Sequence, residues 1–165
     1  MNPIVGWYRN GVAMKRWVVV LGLILTCLAG AMGGAGLYSG YPEVFGIQFV
    51  TAEGWRMSVG LLPGESAGES PSVALSLDLV LAAGTVYSDG GEELDLAYYA
   101  GAGATASLLR PNPELNGHAM LGLEAYFTQM KSLGLFAELQ LGQRFWLVPV
   151  GTGPYLGFRV GLSLR

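Results

Sequence analysis

The sequence predicts an all-β chain, an eight-stranded antiparallel up-and-down transmembrane β-barrel behind an N-terminal signal peptide, and three observations predict it. First, Tyr155 to Arg165 alternates without a break: Leu156, Phe158, Val160, Leu162 and Leu164 share one parity, while Tyr155, Gly157, Arg159, Gly161, Ser163 and Arg165 share the other. Side chains with a period of two fall on opposite faces of a strand. Second, the same split recurs in several segments separated by Gly, Pro, Asn and Asp, the residues that mark turns. Third, a basic and then apolar leader precedes them all.

The leader reads best from Met14. Lys15 and Arg16 supply a basic start, Trp17 to Leu28 an apolar core, and Ala29-Gly30-Ala31 a small-residue cleavage site, the three parts of a secretory signal. Residues 1–31 are therefore assigned to the signal peptide and 32–165 to the barrel. An uncleaved anchor from Trp17 to about Leu37 is the alternative, and the glycines and alanines of Ala29–Ala35 argue against it. Cys27, the only cysteine, falls in the leader behind Thr26 rather than a small residue, which disfavours lipidation. Without it the mature chain has no thiolate chemistry or Cys-based metal site.

Composition narrows the partners. Charged residues are 13% of the chain, about half the share of a typical soluble domain. Arg9, Lys15 and Arg16 leave with the leader and all acidic residues stay, so the mature chain is more negative than the formal −3 of the whole. Nucleic acid, which needs a basic patch, is excluded as a partner.

Eight strands are predicted: Ala35–Tyr38, Phe45–Thr51, Trp55–Leu62, Val73–Ala82, Leu94–Leu108, His118–Phe127, Gly134–Phe145 and Tyr155–Leu164. Pro42, Pro63, Pro71, Pro111, Pro113, Pro149 and Pro154 all fall in connections after the first, third, fifth or seventh strand. Proline is excluded from strand interiors, so its place between strands is ordinary, but its restriction to alternate connections is not. Up-and-down topology gathers alternate connections at one end, which gives the barrel two chemically different ends. The stretch Gly84–Glu93 is long for a turn, and its Asp89-Gly90-Gly91 reads as a tight turn with strand on both sides.

Parity then sorts the faces. The lipophilic set includes Leu77, Leu79, Leu121, Leu123, Leu139, Leu141, Phe158, Val160 and Leu162, assigned to lipid. The opposite set carries Arg56, Asp78, Glu124, Glu138, Arg144 and Arg159 among glycines, serines and tyrosines, assigned to an ion-paired lumen. A soluble secreted ligand-binding barrel would turn the apolar set inward and show water a surface rich in charge. This polar set has no lysine, many glycines and near-balanced charge. Eight strands leave room only for side chains to fill the lumen, and small residues beside long charged ones suit that space.

On these patterns, over about residues 35–165, the chain resembles the small eight-stranded bacterial outer-membrane barrels, such as the membrane domain of outer membrane protein A. The resemblance implies a charged lumen without a continuous pore, termini toward the periplasm, lipid as the surrounding partner, and an assembly machinery that reads the C-terminal strand. The strand here ends Leu164-Arg165 rather than on the aromatic residue common in that group.

No motif adds chemistry beyond this. His118, the sole histidine, stands beside Asn116 and Gly117 and reads as a rim residue, although some small outer-membrane barrels modify lipids with a rim histidine and a serine, for which Ser72 would lie at the same end. Glu124 and Glu138 resemble a paired-carboxylate acid/base site, with Arg159 on the next strand favouring an ion pair. Glu65, Glu69, Asp89, Glu92, Glu93 and Asp95 lack calcium-loop spacing. Gly101-Ala102-Gly103 has no following helix to make a phosphate cradle. Trp55, Tyr98, Phe127, Phe145, Trp146 and Tyr155 read as an aromatic girdle at the membrane interfaces. The sequence thus predicts a monomer in the cell outer membrane with a structural or surface-interaction role and no cofactor, metal or catalytic residue. A lipid-modifying enzyme and a small-solute channel are the alternatives.

Overall fold

A computed structural model describes residues 32–64, 71–88, 94–107, 112–127, 130 and 132–164. The leader and the Asp89-Gly90-Gly91 turn lie outside them. Eight strands, β1 (Met32–Tyr41), β2 (Phe45–Thr51), β3 (Trp55–Leu62), β4 (Ser72–Ser88), β5 (Leu94–Ser107), β6 (Glu114–Phe127), β7 (Leu133–Leu147) and β8 (Val150–Leu164), follow one another around a closed barrel. β8 closes it antiparallel to β1, from Ala35 opposite Leu164 to Tyr41 opposite Phe158.

The strands exceed their predicted bounds where composition masks them. β1 begins at Met32, because the glycines that weaken its strand signal lie against neighbours with no room for a side chain: a Cβ on Gly36 would press on Leu162 O and the Gln48 side chain. β4 continues through Gly84 to Ser88, paired with β5 across register shifts at Val80/Ala82 and Thr85/Tyr87. Pro154 corrects the proline pattern. It lies inside β8 opposite Gln143, where the side toward β1 carries no ladder, since β1 pairs only from Phe158 onward. A proline is tolerated on such an open edge. The short connection between β2 and β3 turns at Gly54, whose φ of +87° favours a residue without Cβ; its N–H donates to Thr51 O at 3.1 Å.

The faces divide as parity requires. Leu77, Leu121, Leu123, Leu139, Leu141, Phe158, Val160 and Leu162 are exposed on the outer wall, with Leu121 at 59%, and Leu79 is partly exposed there. The buried side holds Arg56, Asp78, Glu138, Gln140 and Arg159. Among the described residues the outer wall is largely apolar and the interior largely polar.

Glycine makes the crowded interior fit. Tyr99, Tyr126 and Phe136 each stand opposite a glycine on the next strand, respectively Gly122, Gly134 and Gly161. A Cβ at any of the three would collide with that ring. Asp78 stands likewise opposite Gly103. Large side chains thus lie flat across small ones, which is how a narrow lumen reaches interior packing density.

The aromatic girdle needs correction. Trp55, Tyr98, Phe127 and Phe145 are exposed, but Tyr155 is buried inside, and Trp146 turns to donate from Nε1 to Glu114 Oε1 at 3.1 Å. Both have lumen parity, and for Tyr155 the alternation of the last strand already sets it with Arg159.

Candidate functional site

Arg159 is the centre of the lumen and is wholly buried. Its Nη2 donates to Glu43 Oε1 and to Ser76 Oγ, both at 2.9 Å; its Nη1 lies 3.5 Å from Asp78 Oδ2 and 3.8 Å from Glu138 Oε1. The guanidinium also lies 4.7 Å from the centre of the Tyr38 ring. Arg56 forms a second node. Nη1 meets Glu138 Oε2 at 2.5 Å, Nη2 donates to Gln48 Oε1 at 2.8 Å, and the group lies 4.9 Å from the Tyr99 ring centre. Tyr99 OH donates to Glu138 Oε2 at 2.9 Å and Gln140 Nε2 to Glu138 Oε1 at 2.8 Å.

Glu138 therefore holds donors from Arg56, Tyr99 and Gln140 with Arg159 beside it. Both oxygens of this carboxylate are engaged by donors, so its geometry is that of a brace rather than of a free base. The paired-carboxylate reading loses its geometry as well. Glu124 is bonded to Ser163, a layer away from Glu138, whose own register partner on β6 is Gly122.

The predicted lumen residues thus separate into groups. Arg56, Asp78, Glu138 and Arg159 come together, Glu124 stands with Ser163, and Arg144 lies apart with its Nε 3.7 Å from Glu114 Oε2. Glu124 does not belong to the Arg159 cluster, because strand parity fixes which way a side chain faces but not the height at which it meets another strand.

Two members of the cluster escape the sequence reading. Glu43 belongs to the connection between β1 and β2, where no alternation exists to assign it a side. The connection turns it inward, and a Cβ on Gly60 would strike its side chain. His118 is the second, and its placement at the rim is corrected. It lies within β6, buried, with Nε2 3.0 Å from Asp78 Oδ1. Asp78, Gly103 and His118 are successive partners across β4, β5 and β6, and the glycine lets the outer two meet. His118 also stands 5.6 Å from the Tyr155 ring, across Gly142, the register partner of both.

The cluster fills the waist of the barrel between two cavities with no lining residue in common. One of about 170 Å³ lies at the end of the Pro42 and Pro63 connections; one of about 320 Å³ lies at the other end, beside Gly54, Arg56 and Glu124. Among the described residues no group of three or more His, Cys, Asp or Glu is placed to hold a metal ion. Of the acidic turn residues, Glu65, Glu69, Asp89, Glu92 and Glu93 lie outside the described residues. What the arrangement can do is brace opposite walls: Arg159 on β8 grips β4 and the β1–β2 connection, and Arg56 on β3 grips β7.

Comparison with known protein families, with characterised proteins and with solved structures finds no match for this chain.

Proposed function

We propose that the protein is an integral outer-membrane β-barrel with a structural or surface-interaction role, a filled lumen and no large pore. The observation that carries the reading is the outward apolar wall of a closed barrel whose charges pair inside. Leu75 and Leu77 on β4 and Leu121, Leu141, Leu156 and Val160 on β6, β7 and β8 are each about half exposed or more, an outward apolar exposure of the kind that marks a membrane or interaction surface. A bilayer is the solvent that such a wall suits, and β8 closes on β1 from Phe158 to Leu164, so the sheet has no free terminal strand there. Lipid is then its surrounding partner, the assembly machinery would engage β8, and the monomer is the working form.

The Arg159 cluster supports a plug rather than a channel, since solute would have to displace paired charges at the waist. Burial of His118 removes the residue on which lipid-modifying chemistry rests: its side chain is fully enclosed and a lipid at the outer wall does not reach it. The test is fractionation of cell envelopes together with planar-bilayer recording of the purified protein. The expected result is a mature species beginning near Met32 in the outer membrane, with no stable conductance steps. Recovery in the soluble fraction, or steady ohmic channels, would overturn the reading.

A further inference from the structure

The cavity at the Pro42 and Pro63 end has a built polar wall that the waist cluster does not use. Ser107 and Asn116, only 2% and 3% exposed, line it and hold Oγ and Oδ1 without a hydrogen-bond partner. Buried polar atoms are partnered in the great majority of cases, so two orphans on one wall call for a ligand group or water. Beside them Arg144 differs from the other lumen arginines. Its nearest carboxylate oxygen, on Glu114, is 3.7 Å away, and its guanidinium sits 5.8 Å from the centre of the Tyr155 ring; its Nε, like that of Arg159, makes no hydrogen bond. Arg56 and Arg159, by contrast, are held by short bonds from several sides.

The wall therefore offers an arginine and a hydroxyl to an anionic group, and a carboxylate and an amide oxygen to a donor. The facing wall, from Leu62, Pro63 and Ala74, is apolar. Net charge selects among ligands. A simple anion meets Glu114 and a simple cation meets Arg144, whereas a molecule with both charges satisfies each. A cavity near 150 Å³ holds a benzene-sized guest, so about 170 Å³ accepts roughly six to eight non-hydrogen atoms.

We infer that this mouth of the barrel binds a compact zwitterion of the size of a small α-amino acid. The carboxylate lies on Arg144 and Ser107, the ammonium on Glu114 and Asn116 Oδ1, and a short aliphatic side chain on the apolar wall. The inference goes beyond the proposed function, and it concerns the folded barrel in detergent, so it stands or falls separately from cellular location.

The experiment is amide chemical-shift titration of the folded full-length protein in micelles with L-alanine, acetate and methylammonium as separate probes. L-alanine should give saturable shifts centred on Ser107, Asn116 and Arg144 with a Kd of about 1 mM, a value suited to so few ligand atoms. Acetate and methylammonium should each bind at least about tenfold more weakly, and Arg144→Gln should cost about tenfold or more, as loss of a charge-assisted bond implies. Ser107→Ala, a gentler change that leaves all ion pairs in place, should weaken binding by severalfold even if Arg144→Gln does not fold. Absence of saturable shifts, acetate binding equal to alanine, or indifference to both substitutions would overturn the site and leave ordinary water as its occupant.

Discussion

Replacing Arg159 with methionine removes the hub and leaves its partners unequally stranded. Asp78 keeps His118 at 3.0 Å and Glu138 keeps Arg56 at 2.5 Å. Glu43 keeps no other ion pair among the described residues: its Oε1 is bonded to Arg159, and its Oε2 has no hydrogen-bond partner. Breaking a buried pair by removing one member costs about 3–5 kcal/mol, because the other charge remains uncompensated. Almost all of that cost should trace to Glu43. Adding Glu43→Gln to Arg159→Met should therefore restore about half or more of the loss, whereas adding Glu124→Gln, bonded elsewhere to Ser163, should restore none. Arg144→Met is the control, since its ion pair is long and its side chain partly exposed, and it should cost about 1 kcal/mol or less. The assay is the fraction of compact, unboiled band on gels across a urea series, with the protein folded in lipid vesicles. Strictly additive losses for Arg159→Met with Glu43→Gln, or equal rescue by Glu124→Gln, would refute the assignment of Glu43 as the partner that matters.

Three further outcomes follow from the same geometry. Gly122→Ala puts a methyl into the Tyr99 ring and should cost about 1–3 kcal/mol by overpacking, while Gly117→Ala, whose Cβ would meet nothing within 4 Å, should stay within about 0.5 kcal/mol on the surface; urea midpoints of the two variants decide it. Val160→Arg on the outer wall should cost about 2–4 kcal/mol if it lies near the bilayer midplane, against about 0–1 kcal/mol for Leu164→Arg near the end of β8, read as folding free energies in vesicles. His118→Ala should lower stability without altering the lipid A or phospholipid profile of the envelope, and a changed lipid profile would restore the enzyme reading.

Most of the architecture is legible in the sequence because a strand with one apolar and one polar face writes itself at a period of two. Leu156 to Leu164 declares both faces of β8, and the apolar residues of β4, β6 and β7 do the same. The alternation fails at particular places for physical reasons. In β1, glycine and serine carry little polarity contrast, so only their tight fit against neighbouring strands reveals the full length from Met32. His118 follows turn-like residues, Asn116 and Gly117, yet β6 already runs through them. Glu43 has no parity because it belongs to a turn. Tyr155 reads by parity as inward and by its closeness to a strand end as girdle, and parity is the reading that holds; Trp146 has the same inward parity. The glycine partners of Tyr99, Phe136 and Asp78 were open to reading: glycines of lumen parity mark where a large neighbour lies down, but pairing them needs the register.

The most direct test of the central claim is the environment of the outer wall. Cys27 is the sole cysteine, so the protein expressed from Met32 accepts single cysteines for spin labels at positions 121, 139, 160 and 164. In lipid vesicles, labels at 121, 139 and 160 should collide readily with dissolved oxygen and hardly with a water-soluble nickel chelate, with the contrast weakening at 164 near the end of the strand. Equal access of the nickel chelate to all four positions would contradict a barrel whose apolar wall is solvated by lipid.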